Sequence, residues 1–271
     1  MNIAVCVKQV PATDSRIKPT AHQDDIDRTD MVYVVNPYDE FGVEEALKIR
    51  DRVKTGSVTA ITIGPEKASE VLRSCLALGV DQAIHLKDPA LAGGDAYSTA
   101  VVLSAVLKKG NLQGAAPYDI IFFGKHAVDT DNGAVAIHVA EFLGLPHVGV
   151  INQLTLDPDG EKRAIAHRQI EDAIEVVETS LPAIFTCQKG LNEPRYATLA
   201  GIMKAKQKPL TVLTLNELGL TESQVGSKGA KLVVERLELP QIRKAGVMLE
   251  GDPDIAVAEL VRLLHEEAKV L

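Results

Sequence analysis

Val58-Thr59-Ala60-Ile61-Thr62-Ile63-Gly64-Pro65, followed by apolar residues at Ala68, Val71, Leu72, Cys75 and Leu76, is the stretch that decides the fold. Its first six residues read as a buried strand ending at Gly64. Pro65 suits the first helical position, where the missing N–H has no partner to lose. The five apolar residues then fall at i, i+3, i+4, i+7 and i+8, one face of a helix, which puts Cys75 in the core. A buried strand feeding an amphipathic helix is the unit from which helix-covered parallel sheets are built.

The same unit recurs on both sides. Residues 3–7 read as a first buried strand and residues 83–86 as another. After the Gly93-Gly94-Asp95 turn, Ala96, Ala100, Leu103 and Leu107 mark a helix. Residues 120–123 form an apolar strand entering Gly124, and a helix carrying Val135, Val139 and Phe142 is expected to begin near Asp131. From 148 to 188 the period turns towards two, with Pro158-Asp159-Gly160 as a turn between 154–156 and 164–166. The fold class that follows is α/β: a mostly parallel, doubly wound sheet with an antiparallel excursion that returns through 183–186. Beyond Lys208, short apolar pieces separated by Gly219, Gly226, Gly229, Pro240 and Gly246 suggest an arm, so the expected domains are 1–208 and 209–271. The arm ends in a helix with Asp252 as N-cap, Pro253 behind it, and a stripe of Val257, Leu260, Val261, Leu264 and Ala268. Such a stripe needs a surface to bury against.

Composition bounds the function. At 46% hydrophobic and 24% charged residues, the chain has the make-up of a globular protein rather than a disordered one. A net charge of −8 argues against a nucleic-acid partner, which calls for a basic stripe. The three cysteines, Cys6, Cys75 and Cys187, are widely spaced and fit neither a disulfide framework nor a metal motif; reduced thiols and a cytoplasmic setting are the simplest reading. The N-terminal residues lack the basic region and length of a targeting signal, and no run is long enough for a membrane span.

No nucleophile–base pair and no metal site stands out among the scattered histidines, so neither catalytic residues nor a metal are expected. Dinucleotide and P-loop glycine motifs are also absent. What remains is a strand-to-helix junction, Gly124-Lys125-His126-Ala127-Val128-Asp129-Thr130-Asp131-Asn132-Gly133-Ala134-Val135. Backbone N–H groups near 133–135 suit a phosphate, while Asp129 or Asp131 suits a helix cap or ribose hydroxyls. An ordinary capped helix would leave the same trace.

Residues 190–206, Gly190-Leu191-Asn192-Glu193-Pro194-Arg195-Tyr196-Ala197-Thr198-Leu199-Ala200-Gly201-Ile202-Met203-Lys204-Ala205-Lys206, combine a turn, a cap at Thr198 and an apolar face of Leu199, Ile202 and Met203. Spacing alone allows either a helix packed on its own domain or a surface for another protein. This segment closely resembles the signature of the small (beta) subunit of electron transfer flavoproteins, and the resemblance extends over essentially the whole chain. It implies a domain of adenine-nucleotide-binding type and a heterodimer in which the arm packs on a larger alpha subunit that holds FAD. It also implies docking of an acyl-CoA dehydrogenase or related flavin dehydrogenase at Leu199, flanked by Arg195, Tyr196, Ile202 and Met203, and a downstream acceptor oxidoreductase.

The same resemblance maps a second nucleotide, FAD or AMP, onto Cys6, Asn36, Ile63, Gly64, Ala127, Asp129, Thr130, Asp131, Gly133, Ala134 and Val135. The loop 129–136 lacks the glutamine found in both AMP-holding and FAD-holding members. The segment 92–99, with Asp95 and Thr99, and the C-terminal residues resemble FAD-holding members and favour FAD. Some members bifurcate electrons, a step the altered loop leaves open. Arg168 aligns with a segment near the flavin domain, although Gln169 replaces the family's glutamate. The competing reading is a stand-alone ATP- or AMP-binding sensor or enzyme on a related fold.

Overall fold

In the first strand Ile3 and Val5 alternate with Ala4 and Cys6, and both sets are buried, which requires a layer of helices on each side. The computed structural model describes residues 1–23, 25–110, 116–157, 162–240 and 246–271. They divide into one unit of Met1–Ile17 with Arg28–Glu235 and a second of Lys18–Asp27 with Arg236–Leu271.

In chain order the first unit contains β1 (Ile3–Cys6), β2 (Gln9–Pro11), β3 (Tyr33–Val35), α1 (Pro37–Val53), β4 (Val58–Ile63), α2 (Ser69–Leu78), β5 (Gln82–Leu86) and α3 (Ala96–Lys108). There follow β6 (Ile120–Gly124), α4 (Val135–Leu143), β7 (His147–Leu156), β8 (Arg163–Gln169), β9 (Ile174–Ser180), β10 (Ala183–Cys187), α5 (Leu199–Ala205), β11 (Leu210–Leu213), α6 (Leu215–Leu218) and α7 (Gly226–Gly229). Among the described residues nine strands form one sheet in the order β11-β5-β4-β1-β6-β10-β7-β8-β9. Pairing is parallel from β11 to β7 and antiparallel for β7/β8 and β8/β9.

Each sheet face has its own core. Ile3, Val5, Val58, Ala60, Phe122 and Phe185 pack with Val43, Ala46 and Leu47 of α1 and Leu72, Cys75 and Leu76 of α2. Ala4, Cys6, Ile61, Ile84, Ile121 and Ile184 pack with Ala100, Leu103 and Val106 of α3 and Ala136 and Val139 of α4. The alternation along each strand therefore assigns its residues to two separate helix layers.

Two expectations change. The helix expected near Asp131 starts at Val135, because Asp131 and Gly133 adopt left-handed backbone angles (φ 52° and 57°) that hold the intervening chain out of helical geometry. Residues after 208 do not begin an arm at once: Leu210–Leu213 adds to the sheet beside β5, and the first unit runs on to Glu235. A four-residue edge strand, only part-buried, leaves no clear period in the sequence. Strands β2 and β3 and helix α1 carry no expectation from the sequence, although Pro37 occupies the first helical turn. The turn at 158–160 lies outside the described residues; its flanking strands pair Leu154 with Ala166 and Leu156 with Ala164.

In the second unit the Asp27 N–H donates to the Lys18 carbonyl (2.8 Å), and the Leu237 N–H donates to Gln23 (2.8 Å). Helix α8 (Pro253–Arg262) continues into a wider turn at Leu263–Glu267. Asp252 holds the expected N-cap position of α8 with Pro253 behind it, although its side chain makes no cap bond. None of the helix's residues is buried, and Ile255, Val257, Leu260 and Val261 lie exposed. No helix of the described residues is long and apolar enough to cross a membrane.

Candidate functional site

Strand order reverses at β1. The chain steps outward from β1 to β4 and β5, then returns across the sheet to β6 on the other side of β1. In open α/β sheets the carboxyl ends at such a reversal leave a crevice where ligands bind. Cys6 ends β1, Ile63 and Gly64 end β4, and Gly124 ends β6, so three adjacent strands bring these residues to one edge.

The loop after β6 is braced from α1. Asn36 is buried, and its side-chain amide donates to His126 O and to Asp39 (both 2.9 Å) while its oxygen accepts from the Val128 N–H (3.1 Å). Asp39, also buried, accepts from the Gly124 N–H (2.9 Å) and the Lys8 N–H (2.7 Å). One carboxylate thus ties the loop after β1 to the loop after β6. Burial pushes the Asp39 carboxyl up to about 7, against the opposing pull of the bonds from Asn36, Lys8 and Gly124. Burial, helped by Asp39, also raises the Cys6 thiol well above its ordinary value, which leaves it protonated and unreactive.

The acidic residues of the loop do not cap α4. Asp129 accepts from Lys8 Nζ (2.8 Å), and Asp131 pairs with His126 Nδ1 (2.7 Å). Thr130 and Asp131 donate backbone N–H groups to Ala127 O, which closes the turn. The helix instead begins behind Ala134, with no side chain capping it. The first-turn amides of α4, from Val135 onward, and the open backbone at Gly133 therefore form a donor set suited to a phosphate. This geometry fits the nucleotide that the resemblance implies.

Asp95 and Thr99 stand in the first turn region of α3, whose Tyr97 ring lies 6.1 Å from His138 and 5.4 Å from Phe142 of α4. Asp95 caps α3 through Ser98 N (2.8 Å) and accepts from Lys231 N (2.7 Å) and Leu232 N (3.1 Å). Burial works to raise its carboxyl, but these bonds prevail and hold it below its ordinary value. Its oxygens are engaged by the protein itself, which makes it a brace for 231–232.

The 190–206 segment is clamped on one side and apolar on the other. Leu191 and Ala205 are buried, and Asn192 Nδ2 donates to Phe41 O and Glu45 (both 3.0 Å). The Arg195 guanidinium lies on Glu44 through Nε (2.8 Å) and Nη2 (3.1 Å) rather than projecting outward. Thr198 accepts from the Gly201 N–H (3.0 Å) and caps α5. At the far end Arg73 Nη1 donates to Ala205 O (2.7 Å), and Lys208 Nζ donates to Leu76 O (3.0 Å) and Val80 O (2.7 Å). Tyr196 (95% exposed), Leu199 (78%), Met203 (60%) and Ile202 (47%) face solvent from this fixed base. Arg168, part-buried on β8, bonds Glu175 (3.2 Å) across β8/β9.

Sequence reasoning missed Asp39, Glu44 and Glu45. The available signal was the run Asn36-Pro37-Tyr38-Asp39-Glu40, a proline-led helix start with acidic residues, which taken alone says only that a helix dipole is satisfied.

Fold and site together define a doubly wound α/β protein with a crevice at the strand-order reversal. Residues 25–218 match the family model of the electron transfer flavoprotein domain. The chain is 39% identical over 276 aligned residues to the electron transfer flavoprotein subunit beta of Bacillus subtilis (strain 168), covering 100% of both chains. It is 36% identical over 268 residues to the caffeyl-CoA reductase-Etf complex subunit CarD of Acetobacterium woodii (98% of this chain, 99% of the relative). With the electron transfer flavoprotein subunit beta of Methylophilus methylotrophus it shares 34% identity over 268 residues, 98% of each. The chain belongs to the electron transfer flavoprotein beta-subunit family.

Proposed function

We propose that this chain is the small subunit of a heterodimer with an electron transfer flavoprotein alpha subunit, holding an adenine nucleotide at the β1/β6 crevice and docking a flavin dehydrogenase at Leu199. The observation that carries the reading is the pairing of a fixed base with an outward apolar face on 190–206, an arrangement with no use to an isolated domain. The uncapped start of α4 beside Gly133 supports a phosphate at that point. FAD is the favoured nucleotide on this chain, with AMP as the alternative. The name of the Acetobacterium woodii relative supports a CoA-ester oxidoreductase as the class of partner and is compatible with bifurcation. Family membership speaks against the stand-alone sensor.

When bound, the flavin supplies the redox chemistry. The chain's own residues orient it: amides at the start of α4 hold the phosphate, Asn36 and Asp39 keep the loop in place, and the Leu199 face brings the partner close. The test is to purify the heterodimer and extract its nucleotides. Two FAD per heterodimer, falling to one in Gly133→Val, is the expected result, because a branched residue is strained at φ 57° and blocks close approach to phosphate. One FAD and one AMP, with only AMP lost in the variant, would select the alternative. Full retention in Gly133→Val would remove the phosphate from this loop.

A further inference from the structure

Between Asn192 and Thr198 the chain forms no regular element, so nothing in the backbone ladder holds it in shape. Its order has to come from side chains. Glu44 is the centre of that order: at 7% exposure it is buried, and among the described residues its hydrogen bonds come from Arg195. Oε2 accepts from Arg195 Nε (2.8 Å) and from the Arg195 backbone N–H (3.2 Å), while Oε1 accepts from Nη2 (3.1 Å). The backbone bond matters most here, because it fixes the main chain next to Tyr196 as well as a side chain.

The attachment continues into the fold. Arg195 Nη1 reaches Asp51 (3.3 Å), which also binds Arg50 (2.8 Å), and Arg50 in turn holds Asp81 (3.0 Å). Asp81 accepts from the Val58 N–H (2.8 Å) at the start of β4. An alternating chain of acids and bases thus connects the sheet, through α1, to the segment bearing the docking face. Glu44 chiefly raises the Arg195 guanidinium above its ordinary value, as a close ion pair does. Arg195 and Glu44 lie 151 residues apart, so this clamp depends on the completed fold.

We infer that Glu44 is a positioning residue for partner docking: through Arg195 it holds 192–198 in the shape that presents Tyr196 and Leu199 before any partner arrives. A preformed surface avoids the ordering penalty that a loose segment would incur on binding. The inference rests on the reading of Leu199 as the docking anchor, and the test separates the two. In the intact heterodimer, Glu44→Gln removes the charge and turns one bonding oxygen into a donor facing Nη2. Arg195→Lys keeps the charge but loses the fork, and serves if the first variant folds poorly.

Hydrogen exchange of amides 192–200 is measured first, then electron transfer from an acyl-CoA dehydrogenase reduced by its own substrate. The expected result is faster exchange at 192–200 in either variant. The apparent KM for the heterodimer should rise roughly tenfold with kcat at saturation and flavin content unchanged. Combining Glu44→Gln with Leu199→Ala should add little to Leu199→Ala alone, since one acts through the other. Unchanged exchange in both variants, or fully additive effects of Glu44→Gln and Leu199→Ala, would overturn the inference. If Leu199→Ala alone leaves the KM unchanged, the docking role of both residues is overturned, and faster exchange would then mark Glu44 as a clamp without that role.

Discussion

Asp39 concentrates the energetics of the candidate site in one side chain. A buried carboxylate is tolerated where donors surround it, and Lys8 N, Gly124 N and Asn36 Nδ2 do so here. Asp39→Asn would set an amide N–H against one of these N–H groups, at a cost of about 1–3 kcal/mol. The pH dependence has a definite sign. The folded carboxyl sits at about 7 against 3.8 in the unfolded chain, so the folded state binds the proton more tightly. The stability this contributes is complete below the unfolded value and is lost as pH rises through 7, up to about 4 kcal/mol in all. Thermal unfolding of the wild type and Asp39→Asn across pH 4 to 8 should therefore show the wild type losing ground to the variant as pH rises. A difference that does not vary with pH would show that Asp39 is ionised throughout. None of this was legible in the sequence, where an acid in the first turn of a helix signifies only a favourable dipole.

Helix α5 has seven residues, too few to persist in water without outside support. Thr198 caps its start, Arg73 takes its Ala205 carbonyl and that of Lys208 just beyond, and Gly201 lets its backbone approach α2. A Cβ at Gly201 would stand 2.4 Å from the Ala77 carbonyl oxygen, a backbone atom with little room to yield. Gly201→Ala is therefore expected to push α5 off α2 and destabilise the chain by about 1–3 kcal/mol. Urea unfolding checks this against Gly246→Ala, where no atom of the described residues lies within 4 Å of the new methyl group. Equal stability of the two variants would mean that α5 shifts without penalty. The stripe of Leu199, Ile202 and Met203 was visible in the sequence, but not its direction. A periodic stripe is the same whether it faces its own core or another protein, and only the packing of Ala205 and Gly201 decides which side is inward.

At the scale of the whole molecule, the second unit carries an exposed apolar helix face at Ile255, Val257, Leu260 and Val261. A surface of this kind is stable only when covered. Limited proteolysis of the chain alone should cut within 236–271 and leave the first unit whole, whereas co-expression with the alpha subunit should protect the same residues. Resistance of the free chain at these sites would count against the heterodimer. The sequence by itself determined the doubly wound α/β class, the antiparallel excursion, the buried Cys75 and the amphipathic terminal helix, because periodicity and local turn chemistry are written in neighbouring residues. Tertiary structure alone decided that β11 closes the sheet edge, that Asp129 and Asp131 pair with Lys8 and His126 instead of capping α4, and that Arg195 is clamped by Glu44. Each of those outcomes joins residues that are distant in sequence or turns on backbone angles at single positions, and such contacts exist only once the strands have set the distances.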